Sequence, residues 1–367
     1  MQFRTLSKYK ENRRVIPLNI IELFVRTTSE EILHFLESTK ENNHDIEINY
    51  ECEGGIFRGT WDPETGHPTK SFFKELHELC EQTSIPPQRI NVYWNNLNSA
   101  SLYDTWCERN EVTERFKLVG CRASPLLMAE VNPDTHDFYM NNRETKRPYL
   151  FSCLNAAARP HRIDLLNNLY RGRNELKDVV WSFLSTTPFM PGFPNTRLLP
   201  QLQAQIPKAI DDAETVFDAS FHLKRGKDFW HAFTDSYFDV VACTHYHNDA
   251  VYYPEFEWWK TVDVCEKIGR SIANMRPFVV VGNQLSLYHL KKMGFKTFPH
   301  IFDESYDELE DSTRLTAISN QLIRMKHQHI HDAVNSDQTK DILQHNLALL
   351  LKLKDLFEQG EGKVFEF

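Results

Sequence analysis

The chain has no surplus of positive charge. Lysine and arginine together number 42 against 51 aspartates and glutamates, a formal net charge of -9 over 367 residues. Sequence-independent nucleic-acid binding needs clustered cations opposite phosphates, so the balance argues against it as the main activity, while leaving room for a local basic cleft. No run approaches the ~18 apolar residues of a membrane helix. The opening MQFRTLSKYKENRRV carries charges throughout and lacks the apolar core of a secretory signal, so a cytoplasmic protein without a membrane span is expected. The seven cysteines form no CxxC pair, and Cys153 and Cys243 sit inside apolar runs; buried free thiols in a reducing compartment are expected. There is no short repeat, no low-complexity tract and no DxD at the end of a strand pattern.

What is present is the balance of a folded protein, 41% apolar and 25% charged, in a chain long enough for two domains with cores of their own. Apolar runs of strand length alternate with amphipathic stretches. Strands are predicted over 15–25, 45–50, 89–94 and 115–120, with helices over 29–40, 70–82 and 101–110 between them. The polar, turn-rich segment 132–148 reads as a linker. Alternation then restarts with strands over 149–154, 178–184, 238–244 and 278–281, and helices over 163–170, 313–334 and 338–359. Strand–helix alternation at this spacing predicts parallel α/β sheets. The expected division is residues 1–147 as a first Rossmann-like domain, 148–330 as a second, and 331–367 as a terminal helix packing across both.

Two segments carry chemistry. In the first, YLFSCLNAAARPHRIDLL, an apolar strand ends at Asn155, and a short loop delivers Arg159, His161 and Arg162 to a helix start with Pro160 in its first turn. Guanidinium forks beside a helix N-terminus suit a diphosphate; a salt-bridge cluster between domains is the competing explanation. In the second, residues 262–302, a helical pattern with adjacent Glu266 and Lys267 precedes the strand FVVV, a Gly282–Asn283 turn and a further helix ending at Gly294. Ligands of such sheets sit outside the carboxyl ends of the strands. There a carboxylate can accept two ribose hydroxyls and an ammonium can neutralise a phosphate.

The pairing of FSCLNAAARPHRIDLL with CEKIGRSIANMRPFVVVGNQLSLYHLKKMGFKTF and FDESYDELED resembles a family of glycosyltransferase-like proteins common in phage, giant-virus and marine bacterial genomes. That family is distantly similar to the donor-binding half of exostosin-like and fucosyltransferase-like enzymes. The resemblance covers roughly residues 149–310. It implies a GT-B fold, two Rossmann-like domains facing a cleft with the second holding a nucleotide-sugar, and no metal or other cofactor. Carried over by position, it puts Arg159 and Arg162 at the diphosphate, Glu266 at the ribose and Lys267 on the phosphates, with His161 lining the cleft beside Asn155. The chain departs from the pattern at four places. Cys265 stands where the family has threonine, Ala156–Ala157 replace a basic pair, Ile268-Gly269-Arg270 replace Thr-x-Lys, and Gln284–Leu285 replace Pro-Gly. The expected acceptor is a glycan hydroxyl, and the second choice is a hydroxymethylated base of phage DNA.

Other features compete or complement. Asn95, Asn96 and Asn98 follow a predicted strand end, where they suit an acceptor or an ordinary turn. Asp104 is the formal candidate for the general base an inverting transfer needs. THYHND brings His245, His247 and Asp249 together like the zinc box of metallo-hydrolases, but Ala250 occupies the closing histidine's place. A zinc hydrolase and an inactive sugar-binding module are therefore the alternatives from other classes. The aromatic run YYPEFEWW at 252–259 suits either sugar stacking or loop packing.

Overall fold

The computed structural model describes residues 20–24, 29–41, 45–51, 72–94, 98–120, 133–155, 158–184, 197–206, 208, 232–246, 262 and 264–358. The chain is α/β, with two separate four-stranded parallel sheets. It packs as two units, one of Met1–Ser124, Asn248–Asp263 and Lys352–Phe367, the other of Pro125–His247 and Val264–Leu351. Among the described residues no helix is long and apolar enough to cross a membrane.

The first unit's sheet runs in chain order, β1 (Ile20–Phe24), β2 (Ile46–Glu51), β3 (Ile90–Trp94) and β4 (Lys117–Gly120). Helices α1 (Ser29–Thr39), α2 (Phe72–Thr83) and α3 (Ser99–Arg109) are the crossovers. Register pairs Ile46 with Ile90 and Ile48 with Val92, so period-two positions of neighbouring strands make continuous apolar rows. Against those rows pack Ile32 and Leu36 of α1, Phe73 and Leu76 of α2, and Leu102 and Trp106 of α3, at the three- and four-residue spacings of a helix face. Each such buried side chain contributes about 1.5–3 kcal/mol. Tyr103 stacks on Phe116 with ring centroids 4.0 Å apart. Its hydroxyl bonds His77 Nε2 at 2.8 Å and accepts from the Phe116 N–H at 3.1 Å. Burial lowers the His77 pKa to about 4, so the imidazole is neutral at physiological pH.

The second sheet has the order β6 (Val179–Phe183), β5 (Tyr149–Asn155), β7 (Ser236–Ala242), β8 (Phe278–Val281), all parallel. Its strands are buried nearly end to end, as a sheet covered on both faces requires. Around it lie α4 (Pro133–Asn141), α5 (Pro160–Gly172), the single turn α6 (Pro200–Gln203), α7 (Glu266–Ala273), α8 (Ser286–Lys292), α9 (Asp311–Arg324), α10 (His327–Val334) and α11 (Asp337–Glu358).

Two differences from the sequence reading have identifiable causes. Residues 132–148, read as a linker, contain α4, which belongs to the second unit. The Tyr139 hydroxyl donates to the Val334 carbonyl at 3.3 Å, and Arg143 donates to the Asn335 carbonyl. Arg147 Nη1 donates to the Ser236 carbonyl at 2.6 Å. Helix α4 thus groups with the second sheet, within Pro125–His247 and Val264–Leu351. The single helix expected over 313–334 is two. Arg173 Nη1 donates to the carbonyls of Leu322, Ile323 and Met325, capping α9, and Met325 turns extended at φ -66°, ψ 139°. The terminal helix α11 likewise starts within the second unit. Its Asn346 bonds both the N–H and the carbonyl of Lys296 at 2.8 Å.

A buried polar knot ties this unit together. Asp239, mid-β7, accepts from Ser152 Oγ of β5 and Ser271 Oγ of α7, each at 2.8 Å, and pairs with Arg276 at 3.3 Å. Arg276 also donates to Ser236 Oγ at 2.7 Å. Removing the carboxylate strands a buried guanidinium. Asp239→Ala is expected to destabilise the unit by about 3–5 kcal/mol and Asp239→Asn by less, measured by urea unfolding. A loss below about 1 kcal/mol for Asp239→Ala would contradict this account of the knot.

Candidate functional site

From β5 the chain crosses to β6 on one side, while β7 lies on the other side of β5. A sheet of this order takes ligands outside the carboxyl ends of β5 and β7, where successive connections leave toward opposite sides. Every residue the sequence reading put at the donor falls at this end of the second sheet. Asn155 closes β5, Arg159 is the N-cap of α5, and His161 and Arg162 sit in its first turn. Glu266 and Lys267 open α7, whose N-cap is Cys265.

The first turn of α5 is anchored across the crevice to the end of β7. Arg162 Nη2 donates to the carbonyls of Ala242 at 3.1 Å and Cys243 at 2.9 Å. His161 Nε2 donates to the Cys243 carbonyl at 3.1 Å, which makes Nε2 the protonated nitrogen. The His161 ring stacks on Tyr246, centroids 5.0 Å apart at 16°. Tyr246 in turn lies under the Arg314 guanidinium at 4.4 Å, donates its hydroxyl to the Asp311 carbonyl at 2.6 Å, and has its own carbonyl bonded by Arg314 Nη2 at 2.8 Å. Arg162 is thus a fixed positive charge at the base of the crevice, and His161 is a strut. The side chain of the N-cap residue Arg159 does not cap α5, and the N1 residue is Pro160, which has no N–H to satisfy.

Cys243 connects this anchor to α7. Its sulfur lies 2.8 Å from that of Cys265, and Glu266 and Lys267 follow at once. Glu266 and Lys267 bond each other at 2.9 Å, both side chains 15% exposed. Burial pushes the Glu266 carboxyl up, but the Lys267 ammonium and its hydrogen bond outweigh that and hold it at about 2. Burial pulls the Lys267 ammonium down, and Glu266 more than reverses it, while the charge of Arg162 opposes. The pair is ionic, and the charge of Arg162 acts on Lys267 from the start of α5.

Asn155 is 1% exposed. Its N–H donates to Ser182 Oγ at 3.2 Å and its Nδ2 to Cys153 Sγ at 3.4 Å, while Oδ1 is buried with no hydrogen-bond partner among the described residues. Such an acceptor costs about 1–3 kcal/mol until a donor reaches it. The N-terminus of α8 is different: the Asp307 carboxylate accepts from the N–H groups of Leu287 at 3.0 Å and Tyr288 at 2.9 Å. Its acid is built in, so an anion is not expected there. Burial raises the Asp307 pKa against those two bonds.

Asp104 is on the surface of α3, 63% exposed and paired with Arg115 at 2.9 Å, which gives the general-base reading no support. Asn98 is the N-cap of α3, its carbonyl accepting from the Leu102 N–H at 3.0 Å. His245 is half-buried just past β7. Asn95, Asn96, His247, Asp249 and the aromatic run 252–259 lie outside the described residues. Among the described residues no group of three metal-ligating side chains assembles. Sequence reasoning missed Arg314, which is 1% exposed yet sits in a helix pattern indistinguishable from a surface arginine. It also missed the Cys243–Cys265 contact, for which the only signals were a cysteine closing a strand and another preceding Glu266.

The sign of the Glu266 shift fixes a pH dependence. A carboxylate held below its ordinary value of 4.5 stabilises the fold above that pH and ceases to as pH falls toward about 2. Glu266→Gln is expected to lose about 2 kcal/mol at pH 7, and its gap from the parent protein should close between about pH 4.5 and 2. Urea midpoints across that range measure it; a gap independent of pH would show that the ion pair is not the stabilising element.

No protein family, curated protein or solved structure matches the chain in comparisons of sequence and fold.

Proposed function

We propose that the chain is a glycosyltransferase of the GT-B kind, with the second unit holding a nucleotide-sugar at the crevice between β5 and β7. The observation that supports this reading is the gathering, at the carboxyl edge of one parallel sheet, of the α5 helix start with Arg159 as its N-cap residue, the cationic side chains of Arg162 and Lys267, and the buried acceptor Asn155 Oδ1. A diphosphate is acceptor-only and suits the cations and the α5 dipole. Asn155 Oδ1 needs a donor, which a sugar hydroxyl or a nucleobase N–H supplies. Glu266, held ionised, accepts ribose hydroxyls by exchanging part of its contact with Lys267.

In this reading the acceptor hydroxyl displaces the diphosphate at the sugar's anomeric carbon. The C–O bond to the leaving phosphate breaks as the new glycosidic bond forms, and the proton goes to a base on the acceptor side. The protein's contribution is to receive the charge developing on the leaving diphosphate with groups already in place, Arg159, Lys267 and the α5 amides over the fixed charge of Arg162. A glycan is the acceptor this reading favours, since the net charge of -9 works against a DNA duplex.

Thermal melts of the intact chain with a panel of nucleoside diphosphates and nucleotide-sugars test the proposal. At a hundredfold excess over Kd a ligand adds about 2.7 kcal/mol, a rise of a few degrees. Lys267→Met and Glu266→Gln, each compared with its own ligand-free melt, should abolish the rise. A folded protein that no member of the panel shifts would leave an inactive GT-B-like module as the better account.

A further inference from the structure

We propose that Cys243 and Cys265 are a redox couple, closed by a peroxide to a disulfide that staples the end of β7 to the first turn of α7. The thiol chemistry stands on geometry alone; its consequence for ligand binding rests on the donor-site reading above. Both residues are 1% exposed and their sulfurs are 2.8 Å apart. That is well inside the ~3.5–4.0 Å of ordinary non-bonded contact between heavy atoms. It is also too short for a shared metal: two thiolates on a tetrahedral zinc, each about 2.3 Å from the ion, stand about 3.8 Å from each other. A covalent S–S bond needs the sulfurs only about 0.8 Å closer.

The backbones on both sides are held. The Cys243 N–H donates to the Val281 carbonyl at 3.0 Å, and the Cys243 carbonyl is the acceptor shared by His161 and Arg162. The Cys265 carbonyl accepts from the Ile268 N–H at 3.1 Å, opening α7. Gly282 leaves the Cys243 sulfur its place, since a Cβ there would come within 3.3 Å of it and within 3.1 Å of Val280 Cγ1. The two thiols therefore face each other because a strand end and a helix start are fixed opposite one another. The link would join the carbonyl that anchors α5 to the residue that precedes Glu266 and Lys267.

The step balances with hydrogen peroxide as oxidant. One thiol gives up its proton and its sulfur attacks a peroxide oxygen; the O–O bond breaks, sulfenic acid forms, and the hydroxide that leaves takes up that proton as water. The second thiolate attacks the sulfenyl sulfur, the S–O bond breaks, and hydroxide leaves to take up the released proton as a second water. The two sulfurs together lose two electrons and the peroxide gains them. Burial means that oxidation proceeds through local opening of the first turn of α7, so a ligand holding that turn should slow it.

The test treats the reduced full chain with hydrogen peroxide, alkylates the remaining thiols and digests without reductant for mass spectrometry. The expected product is one linked pair of peptides carrying Cys243 and Cys265, two hydrogens lighter than their sum. A melting temperature higher by roughly 5 °C should accompany it, reversed by dithiothreitol and absent in Cys265→Ser and Cys243→Ser. Recovery of both cysteines as free thiols, as separate sulfinic acids or joined to other cysteines overturns the proposal, and does so in the parent protein whether or not the variants fold. Oxidation repeated with the nucleoside diphosphate panel should be several-fold slower with the member that binds. A linked pair that forms at the same rate with every member upholds the couple and counts against the donor site alone.

Discussion

Two carbonyl oxygens at the end of β7 determine where the groups at the carboxyl edge of the second sheet stand. Ala242 and Cys243 present them past the last ladder bond, and Arg162 and His161 take them up from the first turn of α5. The bond spans the switch point of the sheet, where diverging loops would otherwise leave strand-end carbonyls without partners. Because a guanidinium does the work, a positive charge becomes part of the floor of the crevice. The stack of His161, Tyr246 and Arg314 then ties Tyr246, just past β7, to the starts of α5 and α9. In the transfer proposed above, such dipoles and cations would receive the leaving group's charge without reorganising.

Below this edge, the Asp239 knot gives the same unit a polar centre in an otherwise apolar sheet. A buried ion pair adds little net stability compared with apolar packing, but its hydrogen bonds are directional. Ser152, Ser271, Ser236 and Arg276 each meet Asp239 or its neighbours in a single arrangement, which sets β5, β7 and α7 relative to one another. The position of Glu266 and Lys267 follows from that, since they begin the helix whose later turn carries Ser271. Core specificity and site geometry are thus linked through one short helix.

Much of the fold was legible in the sequence because parallel strands buried on both faces write themselves as unbroken apolar runs. YLFSCL, VVWSF and FVVV each became a strand within a residue or two of expectation. Helix α4 was not legible, since its pattern is polar and its ties are to Val334 and Asn335, far along the chain. The break between α9 and α10 was hidden for the same reason: the residue that ends α9 is Arg173, about 150 positions earlier. That Asn155, Arg159, His161, Arg162, Glu266 and Lys267 fall at a strand end or helix start of the second unit could be read from the sequence. What each side chain bonds could not, because it depends on β7 lying beside β5. That neighbour relation turns Arg162 from a phosphate fork into an anchor and brings Cys243 to Cys265.

Hydrogen exchange of the intact chain, with and without saturating nucleoside diphosphate, shows whether the carboxyl edge of the second sheet holds the nucleotide. Slowed exchange is expected to be confined to residues 159–163 and 265–272, the starts of α5 and α7. Protection elsewhere with these segments unchanged, or no protection by any nucleotide, would contradict it.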